Sequence, residues 1–324
     1  MDDKIFAIQT REAFDNSCME TFRYQAEHCA VYRQYLSLIH TDPSAINRPA
    51  QIPFLPIEFF KSHRVVSGSA EAQVTFSSSG TTGMVQSRHE VADVTVYERS
   101  FRTAFELFYG HPHDVAILAL LPSYSEREGS SLIYMVDDLI RQSRHPQSGY
   151  FLYNHSDLHS ALQTLKTAGT PTLLIGVTYA LLDFVEQYTI DFPALMVMET
   201  GGMKGRRREM IREEVHALLC RGFGVTAIHS EYGMTELLSQ AYSDGEGIFR
   251  CPPWMDILIR DTNDPFSLLP AGRTGAINVI DLANIHSCAF IATQDLGRKY
   301  DDGSFEVLGR FDQSDIRGCN LLVQ

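Results

Sequence analysis

The chain has no membrane-length apolar run; its longest purely apolar stretch, Val115 to Leu121, is far too short to cross a bilayer. The amino terminus, MDDKIFAIQTRE, carries acids where a secretion signal needs bases, and no long apolar region follows it. The six cysteines (Cys18, Cys29, Cys220, Cys251, Cys288 and Cys319) include no Cys-x-x-Cys or zinc-like pair, so reduced thiols and a cytoplasmic setting are expected. Positive charge is scarce. With 27 Lys and Arg against 40 Asp and Glu, the formal net charge is -13, which opposes general binding to nucleic acid or to an anionic membrane surface. Any anionic ligand must therefore be met by a local site. His155 and His159 are spaced to share a helix face, but no third ligand lies near them in sequence, so a surface pair is expected rather than a metal site. The Gly-x-x-x-x-Gly-Lys-Ser/Thr spacing of a P-loop is also missing.

What remains is a globular composition, 324 residues with 44% hydrophobic and 21% charged, without repeats or low-complexity segments. That length suits about two domains, or one large α/β unit with a subdomain. Residues 11–40 read as helical, with Phe14, Cys18 and Phe22 at helical spacing before the stop at Thr41-Asp42-Pro43. The segment IPFLPIEFFKSHRV then reads as a packed extended connection broken by Pro53 and Pro56. From Val74 onward, strand and helix signals alternate. Helices are expected near 93–109, 129–142, 156–167, 179–188 and 206–221, and strands near 116–121, 150–153, 172–176, 195–199 and 225–229. Such alternation implies an α/β fold, mainly parallel sheets with flanking helices, with ligands at the carboxyl ends of the strands. Segments 255–260, 275–281 and 304–308 are strand-like with few helices between them. This predicts a smaller β-rich subdomain over 245–312, after an amino-terminal segment 1–73 packed on the core and an α/β core over 74–244. A tail, 313–324, follows.

One stretch is unusual. TFSSSGTTGMVQSRHE, Thr75 to Glu90, packs Ser77, Ser78, Ser79, Gly80, Thr81, Thr82 and Gly83 into consecutive positions. A cluster of this composition can be a solvated loop. Equally, its glycines let successive N–H groups converge on an anion while its hydroxyls donate to the anion's oxygens. Three more stretches fall where loops after strands are expected: METGGMKG at 198–205, HSEYGMTE at 229–236 and TQDLGRKYDDGSFEVLGRFD at 293–312. Singly each has an ordinary structural reading, with Glu236 as a helix cap, Tyr232 as core and Asp295 as a turn acid.

Their order is informative. A hydroxyl-rich glycine loop, a glycine pair, Tyr-Gly-x-Thr-Glu, Thr-x-Asp-Leu and Gly-Arg-x-Asp follow one another as in the adenylate-forming, acyl-CoA-synthetase-like enzymes, which the chain resembles from about Val74 to Asp312. The resemblance implies ATP and Mg2+ as cofactors and a carboxylic acid, fatty or aryl, as substrate. Adenylation requires donors and a cation to spread the charge that develops as pyrophosphate leaves. By this resemblance Ser79, Gly80, Thr81, Thr82 and Gly83 hold the β- and γ-phosphates. Thr235 donates to the α-phosphate, and Glu236 is the Mg2+ ligand. Gly201 and Gly202 lie against the adenine with Tyr232 and Gly233 nearby, Asp295 takes the ribose hydroxyls, and Arg310 contacts ribose or phosphate.

Departures from the pattern narrow it. After Gly83 come Met84, Val85, Gln86, Ser87 and Arg88, where relatives usually carry a lysine; Arg88 is the candidate substitute. No lysine follows Lys299, so the mobile carboxyl-terminal lid domain of the superfamily is expected to be absent and the common route to coenzyme A is not expected. With IPFLPIEFFKSH and the terminal DIRGCNLLVQ, the chain is most similar to the acyl-protein synthetase of the bacterial luminescence fatty-acid reductase system. That resemblance implies acyl transfer from AMP to Cys319, with Arg317 favouring the thiolate, and then to a partner, an acyl reductase or acyl carrier protein. Lys204, Arg206, Arg207 and Arg208 form a basic cluster, read as a solvated face or as a docking patch for an acidic partner. The alternatives are a ligase of the phenylacetate-coenzyme A type delivering to coenzyme A or a carrier, and a non-catalytic nucleotide or acyl-adenylate binding protein.

Overall fold

The computed structural model describes residues 2–78, 85–201 and 210–310. The chain divides into two compact units, one comprising residues 72–252 and the other residues 1–71 with 253–324.

The first unit is α/β. Six strands lie in the spatial order Gly149–Tyr150, Ala116–Leu120, Thr172–Val177, Leu195–Thr200, His229–Tyr232, Ala241–Ser243. Every neighbouring pair is parallel except the last, which is antiparallel. The helices Val94–Tyr109, Ser131–Ser143, His155–Ala168, Thr178–Gln187 and Arg212–Phe223 alternate with these strands. Ala116–Leu120 and Thr172–Val177 are buried at every position. Strands sandwiched between helices read as continuous apolar runs for this reason, which is why AILAL and TLLIGV were legible as central strands. The helices carry their own punctuation. Asp93 caps Val94–Tyr109 by accepting from the Thr95 amide at 2.9 Å, and Gly224 ends Arg212–Phe223 at φ 69°. A Cβ at Gly224 would also lie 2.7 Å from the Asp191 Cα, so both the turn and the close approach require glycine.

The second unit holds an antiparallel sheet in the order Phe305–Arg310, Phe290–Lys299, Thr274–Asp281, Met255–Arg260. Leu55–Pro56 pairs in parallel with Ile291 and Ala292, beside the first half of the strand whose second half pairs with Phe305–Arg310. The amino-terminal segment thus supplies a strand to this sheet. It also covers it. Phe22, Tyr32 and Phe54 pack their rings within 6.2 Å of Phe290 or of one another. Gln25 is fully buried, donating from Nε2 to the carbonyls of Asn284 (2.9 Å) and Ile285 (3.0 Å) and accepting from the Ala289 amide (2.9 Å).

Several expected elements shift. The helix expected over 11–40 is two, Arg11–His28 and Ala30–Leu38. Cys29 between them is extended (φ −91°, ψ 102°) and bridges Ser67, so a tertiary pairing overrides a continuous helical pattern. The strand expected at 225–229 lies instead at His229–Tyr232, with Val225 and Ile228 buried ahead of it. The stretch 293–312 is not a loop after a strand, because its described part lies in the hairpin Phe290–Lys299 and Phe305–Arg310. The polar residues Gln294, Asp295 and Arg298 masked that strand. Among the described residues, no helix is long and apolar enough to cross a membrane.

Gln25→Leu keeps the side chain's volume but removes the side-chain partners of the buried Ile285 carbonyl and Ala289 amide, while the Asn284 carbonyl keeps the Ser287 amide at 3.0 Å. It should lower the unfolding free energy by about 3 kcal/mol, read by equilibrium urea denaturation.

Candidate active site

The carboxyl ends of the parallel strands are where an open α/β sheet presents its ligand site. Two of the sequence motifs leave from adjacent strands at that edge. Leu195–Thr200 ends in Gly201, which stands exposed at φ 78°, a backbone state that glycine reaches without strain. His229–Tyr232 runs into the turn Gly233-Met234-Thr235-Glu236, closed by the Leu237 amide donating to the Met234 carbonyl at 3.0 Å. Tyr232 is buried, with its ring edge-on to Phe249 at 6.0 Å. A Cβ at Gly233 would collide with the Glu231 carboxylate, so the turn fits glycine closely there. Thr235 is half-buried and Glu236 is 5% exposed.

The hydroxyl-rich loop connects the antiparallel strands Val74–Ser77 and Arg88–Val91. Ser79, Gly80, Thr81, Thr82 and Gly83 lie outside the described residues, as do Gly202, Lys204, Arg206 to Arg208 and Cys319. The base of the loop is described. The Ser78 amide donates to the Ser87 carbonyl at 3.1 Å, and the Ser87 amide donates back to Ser78 Oγ at 2.9 Å. The Ser77 amide meets the Gly129 carbonyl at 2.7 Å. Arg88 is exposed.

Two residues beyond this base stands a side chain that the sequence did not single out. His89 is completely buried, and its Nδ1 lies 2.9 Å from the Thr235 carbonyl. A carbonyl only accepts, so Nδ1 carries the proton. Burial lowers the imidazole's pKa from 6.5 to about 4, with the bond to Thr235 opposing, and the ring is neutral at physiological pH. Loop base and Thr-Glu turn are thereby joined. Nothing in the spacing of HSEYGMTE and SRHE points to that contact.

Glu199 and Glu231 were also missed, although both lie inside quoted motifs. Glu199 accepts from Thr178 Oγ1 at 2.6 Å and Ser230 Oγ at 2.9 Å, with His216 Nε2 3.9 Å away. Burial alone would raise its pKa; the His216, Thr178 and Ser230 partners outweigh that and hold it below the usual carboxylate range. Glu231 accepts from Thr200 Oγ1 at 2.6 Å.

In the other unit, Asp295 and Arg310 are directly opposed on neighbouring strands, Arg310 Nε lying 3.2 Å from Asp295 Oδ1. Asp295 is 7% exposed, and its amide donates to Thr293 Oγ1 at 3.1 Å. Beneath them the buried Arg260 donates to the carbonyls of Thr293 (2.6 Å) and Ile277 (2.8 Å) and to Asn278 Oδ1 (2.7 Å). Desolvation lowers its pKa to about 10, against the pull of Glu58, Tyr35 and Asp295.

Among the described residues, no group of three or more His, Cys, Asp or Glu is gathered to hold a metal ion. Mg2+ that arrives with a nucleotide does not need one, since it takes one or two carboxylates and completes its shell from phosphate oxygens and water. The single carboxylate of Glu236 fits that requirement. Of the described cysteines, Cys18, Cys29 and Cys288 are buried, and desolvation raises the thiols of Cys18, Cys29, Cys220 and Cys288 above the ordinary range.

Residues 6–127 match the model of the family described as acyl-protein synthetase, LuxE. The chain is similar to the LuxE acyl-protein synthetases. No curated protein matches it in sequence. Among solved structures, an open conformation of 2-hydroxyisobutyryl-CoA ligase in complex with 2-HIB-AMP and CoA superposes with a TM-score of 0.69 at 13% identity, covering 93% of this chain and 75% of that one. ATP-bound MatB from Rhodopseudomonas palustris gives a TM-score of 0.56 at 17% identity, over 76% of this chain; the LuxE-like chain spans about half the length of that enzyme, 49%. At these identities the likeness is one of fold. That fold, an α/β unit with a β-rich one, is the fold of adenylate-forming ligases.

In the unfolded chain His89 takes up a proton near pH 6.5, and in the folded protein only near pH 4. Between those values the unfolded state binds more protons, so stability falls as pH drops through the window and the loss is complete below it, at about 3 kcal/mol. His89→Asn retains a donor for the Thr235 carbonyl without titrating. Denaturant unfolding across that window should show a flatter pH dependence in the variant, with stability near neutrality little changed.

Proposed function

We propose that this protein activates a carboxylic acid, fatty or aryl, with ATP to give an acyl-adenylate and pyrophosphate, and then takes the acyl group onto its own Cys319 for delivery to a partner such as an acyl reductase. The observation that carries the reading is the His89–Thr235 bond, which fixes the Thr-Glu turn to the base of the hydroxyl-rich loop at the carboxyl edge of the sheet. The LuxE match over residues 6–127 and the adenylate-forming fold support it.

In this reading Gly80 and Gly83 offer backbone amides, and Ser79, Thr81 and Thr82 offer hydroxyls, to the β- and γ-phosphates. Thr235 donates to the α-phosphate, and Glu236 holds Mg2+. When bound, that ion neutralises the charge that develops on the departing pyrophosphate. The substrate carboxylate attacks the α-phosphorus as the bond to the pyrophosphate oxygen breaks. Gly201, Gly202, Tyr232 and Gly233 frame the adenine, while Asp295, supported by Arg260 through Thr293, accepts from the ribose hydroxyls with Arg310 beside it. In the second step the Cys319 thiolate attacks the acyl carbonyl and AMP leaves with the carbonyl–oxygen bond's electrons. The described thiols whose pKa is raised by burial are poor nucleophiles, which favours Cys319 as acceptor. A second reading, delivery to coenzyme A, is favoured by the likeness to a ligase held with CoA.

Glu236→Gln should slow acid-dependent pyrophosphate exchange by roughly two orders of magnitude with little change in folding, because the charge that holds the metal against the phosphates is gone. Wild-type exchange rates in this variant would remove Glu236 from the site.

Cys319→Ser should leave that exchange intact while abolishing the hydroxylamine-sensitive acyl mass seen by intact mass spectrometry after incubation with ATP, Mg2+ and a panel of acids. Serine keeps the shape, but its hydroxyl is barely ionised near pH 7, where a thiol is already a few per cent thiolate. An acyl mass persisting on the variant, or turnover of coenzyme A without any protein adduct, would replace self-acylation with the coenzyme A reading.

A further inference from the structure

The parallel register between Leu195–Thr200 and His229–Tyr232 runs over Met198↔His229 and Glu199↔Ser230. At the end of that register the strand tips are cross-linked through side chains. On one face of the sheet, Glu199 takes the Ser230 hydroxyl at 2.9 Å and the Thr178 hydroxyl at 2.6 Å. One residue further along each strand, and therefore on the opposite face, Glu231 takes the Thr200 hydroxyl at 2.6 Å. Thr178 opens the helix that follows Thr172–Val177, so the two oxygens of Glu199 tie together the carboxyl ends of three consecutive parallel strands. His216, from the helix Arg212–Phe223, closes the group from one side at 3.9 Å.

A carboxylate suits this place better than an amide. It accepts at both oxygens and asks for no acceptor in return, whereas an amide would turn an N–H2 toward one of the two hydroxyls. Hydrogen bonds to an ionised acceptor are also shorter and stiffer than neutral ones. Two turns leave from the tips so joined: Gly201 follows Glu199 by two residues, and the Tyr232 to Glu236 turn begins two residues after Ser230.

We infer that Glu199 is the positioning residue of the nucleotide site, its carboxylate setting the spacing of the strand tips that carry the Gly201 turn and the Thr235-Glu236 turn. The inference rests on the adenylation reading for the identity of the site. It adds the residue that aligns the site's parts without touching the nucleotide. Misplacing a reacting group by about 1 Å costs on the order of 10²-fold in rate.

The test compares Glu199→Ala, Glu199→Gln and the double variant Thr178→Val with Ser230→Ala, each measured for thermal unfolding and for the kcat and KM of pyrophosphate exchange with ATP. Glu199→Ala is expected to lower kcat/KM for ATP by roughly 30-fold, within the range set by such a misplacement. The double variant should approach that loss, and Glu199→Gln should recover part of it. A folded Glu199→Ala with wild-type kinetics overturns the inference, as does a loss that follows thermal stability alone and is not eased by glutamine. Should Glu199→Ala fail to fold, the double variant decides, and unchanged kinetics there also overturn it. If the wild-type protein catalyses no exchange with any acid tested, the adenylation reading fails separately. Amide hydrogen exchange over residues 230–236 then decides, with faster exchange in the double variant supporting the positioning role and unchanged exchange rejecting it.

Discussion

His89 donates from a fully buried ring to the carbonyl of Thr235, joining two segments 146 residues apart. In the α/β unit, that bond joins the loop base to the Thr-Glu turn. The ring can be buried because it is neutral, and burial in turn keeps it neutral. With Nδ1 as donor, the Thr235 carbonyl is turned toward the buried ring. The same strand returns the chain from the hydroxyl-rich loop, whose base is clamped by the reciprocal Ser78 and Ser87 bonds. The geometry of loop base and turn is thus set by backbone acceptors and one buried side chain.

The legible and illegible parts of this protein divide along a physical line. Central strands such as AILAL and TLLIGV were readable because burial on both faces forces every position to be apolar. The helix expected near 93–109 was readable, and Asp93 and Gly110 supply its cap and a positive φ; the helix expected over 206–221 runs on to Phe223 and the positive-φ Gly224. The strand Phe290–Lys299 was not, since its second half alternates buried with half-buried polar residues and looked like a motif loop. The break at Cys29 is set by its pairing with Ser67, a contact that no local pattern encodes. The ordered motifs picked out Gly201, Tyr232, Thr235 and Glu236, which the structure sets at the ends of adjacent strands, and Asp295 and Arg310, which it sets opposite each other. The residues that hold them, His89, Glu199, Glu231 and Arg260, act through tertiary hydrogen bonds, and their signals in the sequence are ordinary single letters.

For a chain of net charge -13, the proposed binding of a nucleotide polyanion poses an electrostatic problem that has to be solved locally. Carboxylates lie at the strand edge, and in the proposed reading their charge has to be offset before a nucleotide arrives. Glu199 and Glu231 meet this condition through hydroxyl donors: Thr178, Ser230 and Thr200 point their protons at carboxylate oxygens, and His216 stands beside Glu199. Each donor does two jobs at once, offsetting the cost of a buried anion and fixing a strand tip in place.

Glu236 belongs to a different arrangement. A carboxylate placed beside phosphate repels it unless a cation lies between them, so a role for Glu236 in the nucleotide site entails a divalent ion carried in with the ligand. The contrast with Glu199 separates the two kinds of acid at one sheet edge. Glu199 has its charge met by hydroxyl donors of the fold; Glu236, in the proposed reading, would add its charge to the hold on that ion. Arg260 plays the converse part in the antiparallel unit. It is a buried cation that spends its donors on the Thr293 and Ile277 carbonyls and on Asn278, and so stiffens the strand that presents Asp295. In each unit taken by itself, a charged side chain directs its bonds at the protein's own chain and so fixes a neighbouring motif residue.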